Sequence, residues 1–149
     1  MQLGDLTFTK KLGKGSFGEV YLTTKEGHSQ LYATKKIPKA MADAPKTKKY
    51  FYNEINILST INHKNIMKLI ELKQSEENYY LVCELCNGGS LHHCINKYLK
   101  MYRKPFSEEI VQYLMKQIIK ALQYLHSNHI IHRDLKLENI FDWCEIIKF

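Results

Sequence analysis

The 149-residue chain has little proline, glycine or tryptophan: three, seven and one residue respectively. No low-complexity tract, internal repeat or linker interrupts it, which argues against a disordered or array-like protein. No apolar stretch is long enough to span a membrane. Met1–Lys10 lacks the basic start and apolar run of a secretory leader. The expected address is therefore the cytoplasm, with the nucleus as the alternative. Cysteine is sparse, at positions 83, 86, 94 and 144, and its thiols are expected to be reduced there. Cys83 and Cys86 have metal-site spacing, but no second pair stands at a suitable distance. They read as a packed strand end rather than a zinc site.

What is present suits an ordinary globular chain. Hydrophobic residues make up 44% and charged residues 25%, enough to build a core. Basic residues exceed acidic ones by seven charges. The densest lysines are Lys35, Lys36, Lys39 and Lys46, Lys48, Lys49. Such clusters suit either a phosphate-bearing partner or a solvated basic face. No regular aromatic series is interleaved with them, so no nucleic-acid partner is expected.

The first third reads as antiparallel sheet. Leu6, Phe8 and Leu12 alternate, with Lys10 breaking the apolar face. Val20–Thr24 and Leu31–Ile37 are rich in β-branched and aromatic residues around a Glu26-Gly27-His28 turn, and Pro38 closes the second run. A helix is expected from near Lys46 to Ile61, with Ile55, Leu58 and Ile61 on one face. Ile66–Leu72 and Tyr79–Leu85 then read as a hairpin. After Asn87-Gly88-Gly89 the pattern turns helical. Ser90 caps a helix bearing Leu91, Ile95, Tyr98 and Leu99. Ser107 starts another whose stripe runs through Ile110, Leu114, Ile118, Leu122 and Leu125. A β-rich part followed by an α-rich part is an α+β architecture with two lobes.

Gly13-Lys14-Gly15-Ser16-Phe17-Gly18-Glu19-Val20 spaces its glycines so that backbone N–H groups can approach phosphates. A flexible hairpin tip would look the same. A dinucleotide fold would open a helix after the glycines, whereas Val20–Thr24 continues as strand. A P-loop would place Lys-Ser/Thr after the last glycine, where Glu19 stands. Further on, Tyr32-Ala33-Thr34-Lys35 ends a strand pattern, and His132-Arg133-Asp134-Leu135-Lys136-Leu137-Glu138-Asn139 follows the last helix.

These segments resemble the glycine loop, V-A-I-K strand and H-R-D-L-x-x-x-N catalytic loop of the protein kinase family, in that order. The last is matched at every fixed position. The resemblance runs from about Leu6 to Phe149 and implies the kinase-like two-lobed α+β fold. A complete small β-rich lobe (about 1–85) and a hinge (86–89) would precede an incomplete helical large lobe (90–149). Lys136 resembles the Ser/Thr branch. The 108–119 stretch with Glu138-Asn139 is similar to kinases near the autophagy-initiating and calmodulin-regulated groups.

The resemblance implies ATP and Mg²⁺ as cofactors and a protein, not yet specified, as substrate. Leu12, Gly13, Lys14, Gly15, Ser16, Phe17 and Gly18 would cover the nucleotide, and Val20 and Ala33 would pack the adenine. Cys83 falls at the gatekeeper, and Glu84, Leu85 and Cys86 fall on the adenine-binding hinge. Lys35 would hold phosphates and pair with Glu54. Asp134 would orient or deprotonate the acceptor hydroxyl, Lys136 would neutralise the γ-phosphate, and Asn139 would hold the metal. His132 is expected to pack rather than titrate, and Arg133 resembles the receptor of a phosphorylated activation loop. Leu58, Leu69 and His132 match the family's apolar spine.

Ile147-Lys148-Phe149 is where the family leads into D-F-G, whose aspartate is the other metal ligand. The expectation is a chain that stops short of a full kinase domain and has little activity alone. Its exposed helical surface would call for a protein partner. The alternatives are a truncated pseudokinase acting as a nucleotide-binding or docking module, and an inert remnant.

Overall fold

The computed structural model describes the backbone of residues 1–15, 17–143 and 146–148, and side chains as far as Phe141. Ser16, Cys144 and Phe149 lie outside the described residues. The chain forms two compact units: Met1–Ile61 with Lys68–Leu85, and Asn62–Met67 with the residues from Cys86 onward.

The first unit is built on a six-stranded antiparallel sheet. Its strands are β1 (Gln2–Leu3), β2 (Leu6–Gly15), β3 (Gly18–Lys25), β4 (Leu31–Pro38), β5 (Leu69–Gln74) and β6 (Asn78–Glu84). They lie in the order β1-β2-β3-β4-β6-β5. Successive side chains of a strand point to opposite faces, and β6 uses both. Tyr79 and Leu81 join Ile37, Phe51 and Ile55 in one apolar cluster, with Leu58, Leu69 and Cys83 packed against it. Tyr80 and Val82 join Leu6, Phe8 and Tyr32 in the other. This two-sided burial explains why β6 reads as a continuous apolar run rather than an alternating one.

The cluster around Tyr79 is covered by a short helix, α1 (Lys39–Ala42), and a longer one, α2 (Lys48–Thr60). The helix expected from Lys46 begins two residues later. Thr47 precedes it with its hydroxyl turned back onto the carbonyls of Met41 and Ala44, so it caps the α1–α2 turn and not the helix. Pro38 does not end β4 early; it pairs with Asn78 as the last residue of the strand. At the opposite face Thr23 and Thr34 are fully buried, their hydroxyls 2.7 Å apart. That mutual bond is what makes a polar residue tolerable at position 34.

The sheet is curled enough for its ends to meet through charge. Lys25 at the end of β3 lies 2.6 Å from Glu71 on β5 and 3.4 Å from Asp5. Lys73 lies 2.7 Å from Asp5 and 2.9 Å from Glu71. Each of the four residues therefore touches both residues of opposite sign.

In the second unit, α3 (Leu91–Tyr102) starts at Ser90, whose Oγ accepts from the His93 amide at 3.3 Å. It ends at Arg103 in the left-handed region. The longer α4 (Glu108–Ser127) starts after Ser107 with Glu108 and Glu109 in its first turn, where the helix dipole favours negative charge. Ile118, Ala121 and Leu125 are buried, and so is Gln117. Gln117 accepts from the Nδ2 of fully buried Asn65 at 2.9 Å. Tyr124 accepts from the Asn62 amide at 3.1 Å and stacks on His63. These bonds place 62–67 on α4. They explain why Ile66, expected to open a strand, does not: β5 begins only at Leu69.

Val111, Met115 and Ile119 are exposed along one line of α4, four residues apart and so on a common stripe. After α4 the chain passes a 3₁₀ turn (Leu137–Asn139), then β7 (Phe141–Trp143) and β8 (Ile146–Lys148), which pair antiparallel. The Leu91 amide donates to the Ile140 carbonyl at 2.7 Å, which fixes the end of the motif segment against the start of α3.

Candidate functional site

The glycine segment forms a hairpin tip whose last pair is Gly15 with Gly18. The two halves of the segment differ. A Cβ on Gly18 would stand 2.1 Å from the Lys36 carbonyl oxygen of β4, so only glycine fits there. At Gly13 nothing lies within 4 Å of that position, and at Gly15 only the Gly18 carbonyl at 3.9 Å does. The sheet requires Gly18, whereas Gly13 and Gly15 leave backbone open for a ligand. Lys14 pairs with Glu19 across the hairpin. Glu19 is held by Lys11 and by the Tyr21 hydroxyl at 2.6 Å, first the one and then the other lowering its pKa to about 2. Leu12 and Phe17 are about half exposed.

Lys35 stands on β4 between Val20 of β3 and Leu81 of β6. Ala33 stands between Leu22 and Cys83. Cys83 packs at the edge of the cluster under α2. Glu84 accepts from the Lys68 amide through Oε1 at 2.7 Å, a bond that anchors the end of β6. Leu85 is the last residue of the first unit, and Cys86 begins the longer segment of the second.

The structure does not join Lys35 to Glu54. The Lys35 ammonium lies 6.0 Å from the centroid of the Phe17 ring. Glu54 is exposed on α2, and among the described residues no ion pair connects the two. The expected pairing is corrected to this extent, and the reason lies in the helix face. α2 buries Phe51 and Ile55, which leaves Glu54 on the flank of that face.

In the second unit the motif residues do come together. Asn139 donates through Nδ2 to both the carbonyl and the Oδ2 of Asp134, at 2.9 and 2.8 Å. The Lys136 ammonium lies 2.9 Å from the same Oδ2. Lys136 first, then Asn139, holds the Asp134 carboxyl below its usual range, and Asp134 raises the Lys136 pKa in return. Both side chains remain about half exposed or more. The Asn139 amide donates to the Lys136 carbonyl at 2.9 Å, closing the 3₁₀ turn that brings the two residues together. Arg133 adopts a φ of 67°, a left-handed conformation that is rare for a non-glycine residue. His132 is half-buried, and burial pushes its pKa down against the opposing pull of Asp134.

Among the described residues no group of three or more His, Cys, Asp or Glu could hold a metal ion. The Asn139 Nδ2 is committed to Asp134, which leaves its Oδ1 as an oxygen donor beside a carboxylate. That donor set fits a hard cation that keeps water and phosphate oxygens as its other ligands.

Comparison with known proteins gives the same picture. The model of the protein kinase domain matches residues 6–143. A probable serine/threonine-protein kinase PLK of Dictyostelium discoideum is 41% identical over 130 residues, covering 87% of this chain and 13% of that protein. Calcium-dependent protein kinase 4 of Plasmodium falciparum is 40% identical over 131 residues, covering 88% and 24%. The Aurora kinase of Schizosaccharomyces pombe is 37% identical over 138 residues, covering 93% and 38%. The chain thus spans well under half the length of these relatives. Its strand–glycine–strand hairpin, its lysine strand and its Asp-Lys-Asn cluster all lie within the matched span, and the chain belongs to the protein kinase family.

Proposed function

We propose that this chain serves ATP-dependent phosphoryl transfer to serine or threonine hydroxyls of a protein. The observation that carries the reading is the Asp134–Lys136–Asn139 cluster, exposed and joined by contacts of 2.8 to 2.9 Å. Phosphoryl transfer needs little covalent chemistry from a protein and much positioning and charge stabilisation. Asp134 is ionised at neutral pH and can accept the proton of an acceptor hydroxyl. Lys136 sets a positive charge beside it for the transferred group. Mg²⁺, when bound, would neutralise phosphate charge, with Asn139 as its ligand from this chain.

In the first unit the open positions at Gly13 and Gly15 allow backbone amides to reach phosphates, with Leu12, Lys14 and Phe17 around them. Lys35 supplies the charge. Val20, Ala33 and Cys83 offer apolar surface for adenine, and the backbone at Glu84 and Cys86 offers hydrogen bonds. Calorimetric titration with Mg-ATP tests this part. Lys35→Met is expected to weaken binding by about tenfold or more, the worth of one charged hydrogen bond. Equal affinity in the two proteins would overturn the assignment.

A second reading, a nucleotide-binding or docking module without transfer, is favoured by two observations. Lys35 and Glu54 are apart, and Val111, Met115 and Ile119 form an exposed apolar stripe that a protein partner would cover. ATP binding without phosphorylation of a Ser/Thr peptide library would select it.

A further inference from the structure

The end of α3 concentrates charge of one sign. Between Leu91 and Ser107 the sequence holds Lys97, Lys100, Arg103 and Lys104 and not one acidic residue; carboxylates resume only at Glu108. All four cationic residues are exposed. Among the described residues none of them forms an ion pair, whereas Lys25, Lys73 and Lys136 each contact a carboxylate. Their placement on the helix is ordered. Leu91, Ile95, Tyr98 and Tyr102 recur at intervals of three and four residues and so share one face. Leu91 is buried there, and Ile95 and Tyr98 are half-buried. His93, Lys97 and Lys100 recur in the same way on the opposite face, with Met101 one turn beyond Lys97. Met101 leaves 62% of its surface in water.

The turn after the helix holds this block in place. Arg103 takes a left-handed conformation with a φ of 54°, and its amide donates to the Leu99 carbonyl at 3.0 Å. The chain then folds back, and Phe106 meets Tyr98 edge to face with the ring centroids 4.6 Å apart. Tyr102 lies at the same separation from Tyr98. These rings pin the last turn of α3 and leave Arg103 and Lys104 exposed in the turn. Positive charge is favoured at a helix C-terminus, so the fold tolerates the block.

An exposed apolar side chain flanked by lysines fits a partner with an anionic surface and an apolar layer beneath it. A bilayer with anionic headgroups is built that way. Lysine stems can lie along such an interface while their ammonium groups stay among the headgroups. A nucleic acid answers the charges but gives Met101 no apolar layer to enter. Single strands are also held by stacking on aromatic rings, and Tyr98 is already packed on Tyr102 and Phe106. We infer that this end of α3 is a docking surface for an anionic lipid bilayer, with Lys97, Lys100, Arg103 and Lys104 at the headgroups and Met101 inserted between them. None of these residues belongs to the glycine segment or to the Asp134–Lys136–Asn139 cluster.

Flotation of the 149-residue chain with lipid vesicles tests the surface. Phosphatidylserine and phosphatidylcholine in equal parts give the anionic bilayer, and phosphatidylcholine alone gives the neutral one. Binding is expected to the first and not to the second. Lys97→Gln/Lys100→Gln/Lys104→Gln is expected to weaken it by about 100-fold, each lysine near the surface being worth about fivefold. Lys46→Gln/Lys48→Gln/Lys49→Gln removes the same charge around the start of α2 and is expected to cost about fivefold at most, since charges away from the bilayer are screened. Met101→Ser leaves the charge intact and is expected to weaken binding by about fivefold. All the replaced side chains are exposed, so thermal melts of the variants should match. Equal losses in the two triple variants overturn the docking surface and leave net charge as the cause. An unchanged affinity in Met101→Ser, or tighter binding of a single-stranded oligonucleotide than of the anionic vesicles, overturns the lipid assignment in favour of a polyanion. No binding to the anionic vesicles overturns the proposal outright.

Discussion

The molecule holds two clusters of opposite charges that differ in what they leave open. In the first unit Asp5, Lys25, Glu71 and Lys73 satisfy one another, and all four side chains are between 21% and 31% exposed. In the second unit Asp134, Lys136 and Asn139 also bond to one another, but Asp134 and Lys136 keep 64% and 49% of their surface. The first cluster joins residues up to 68 positions apart, Asp5 to Lys73, and closes the ends of a curled sheet. The second spans six residues and presents a carboxylate to solvent. Closure marks charge used for architecture; an open carboxylate held ionised by a lysine marks charge available for chemistry.

Substitutions should separate the two in kind as well as size. Asp134→Asn keeps the size of the side chain and removes its charge. It is expected to lower phosphoryl transfer by about 100-fold or more, the usual worth of a positioned base, with an unchanged unfolding midpoint. A peptide-phosphorylation assay beside a thermal melt checks both. Glu71→Gln should do the reverse. It leaves Lys25 and Lys73 with only Asp5 between them, so the midpoint should fall by several degrees while Mg-ATP affinity holds.

The smallest effect is the pH dependence. Lysine contacts depress the carboxyl pKa of Asp5, through Lys73 first, and of Glu71, through Lys25 first. A depressed carboxyl contributes stability above its unfolded pKa of about 4. That contribution is lost as pH falls through the lower folded value. The acid limb of a stability profile should flatten in Asp5→Asn/Glu71→Gln and stay as it is in Asp134→Asn if the open cluster contributes little to folding.

The same contrast between near and distant contacts decides what the sequence could reveal. Local patterns were legible. The 31–37 run became β4 with only Pro38 added, and Ser90 and Ser107 preceded helices as expected. The glycine segment is partly strand, since β2 and β3 pair as far as Gly15 and Gly18. Glycine carries weak strand preference, so that pairing is set by the neighbouring strands. The short β1 and α1 elements have no periodicity to read. The Asn65–Gln117 bond, the Asp5–Lys73 ion pair and the Tyr52–Tyr79 contact join residues 27 to 68 positions apart. No local pattern announces them. Lys35 and Glu54 each stand on the expected element, β4 and α2, but whether two such residues meet depends on which face of the helix is buried.

The strand order of the first sheet has a consequence for the chain as it is made. β6 lies between β4 and β5, yet its residues follow the end of β4 by about 40 positions. Ribosomes add about 5–20 residues each second, so β4 waits several seconds with one edge unpaired. Unpaired edges recruit other strands. During that interval the nascent sheet, and not the finished protein, is the species most exposed to misassociation and most in need of a chaperone.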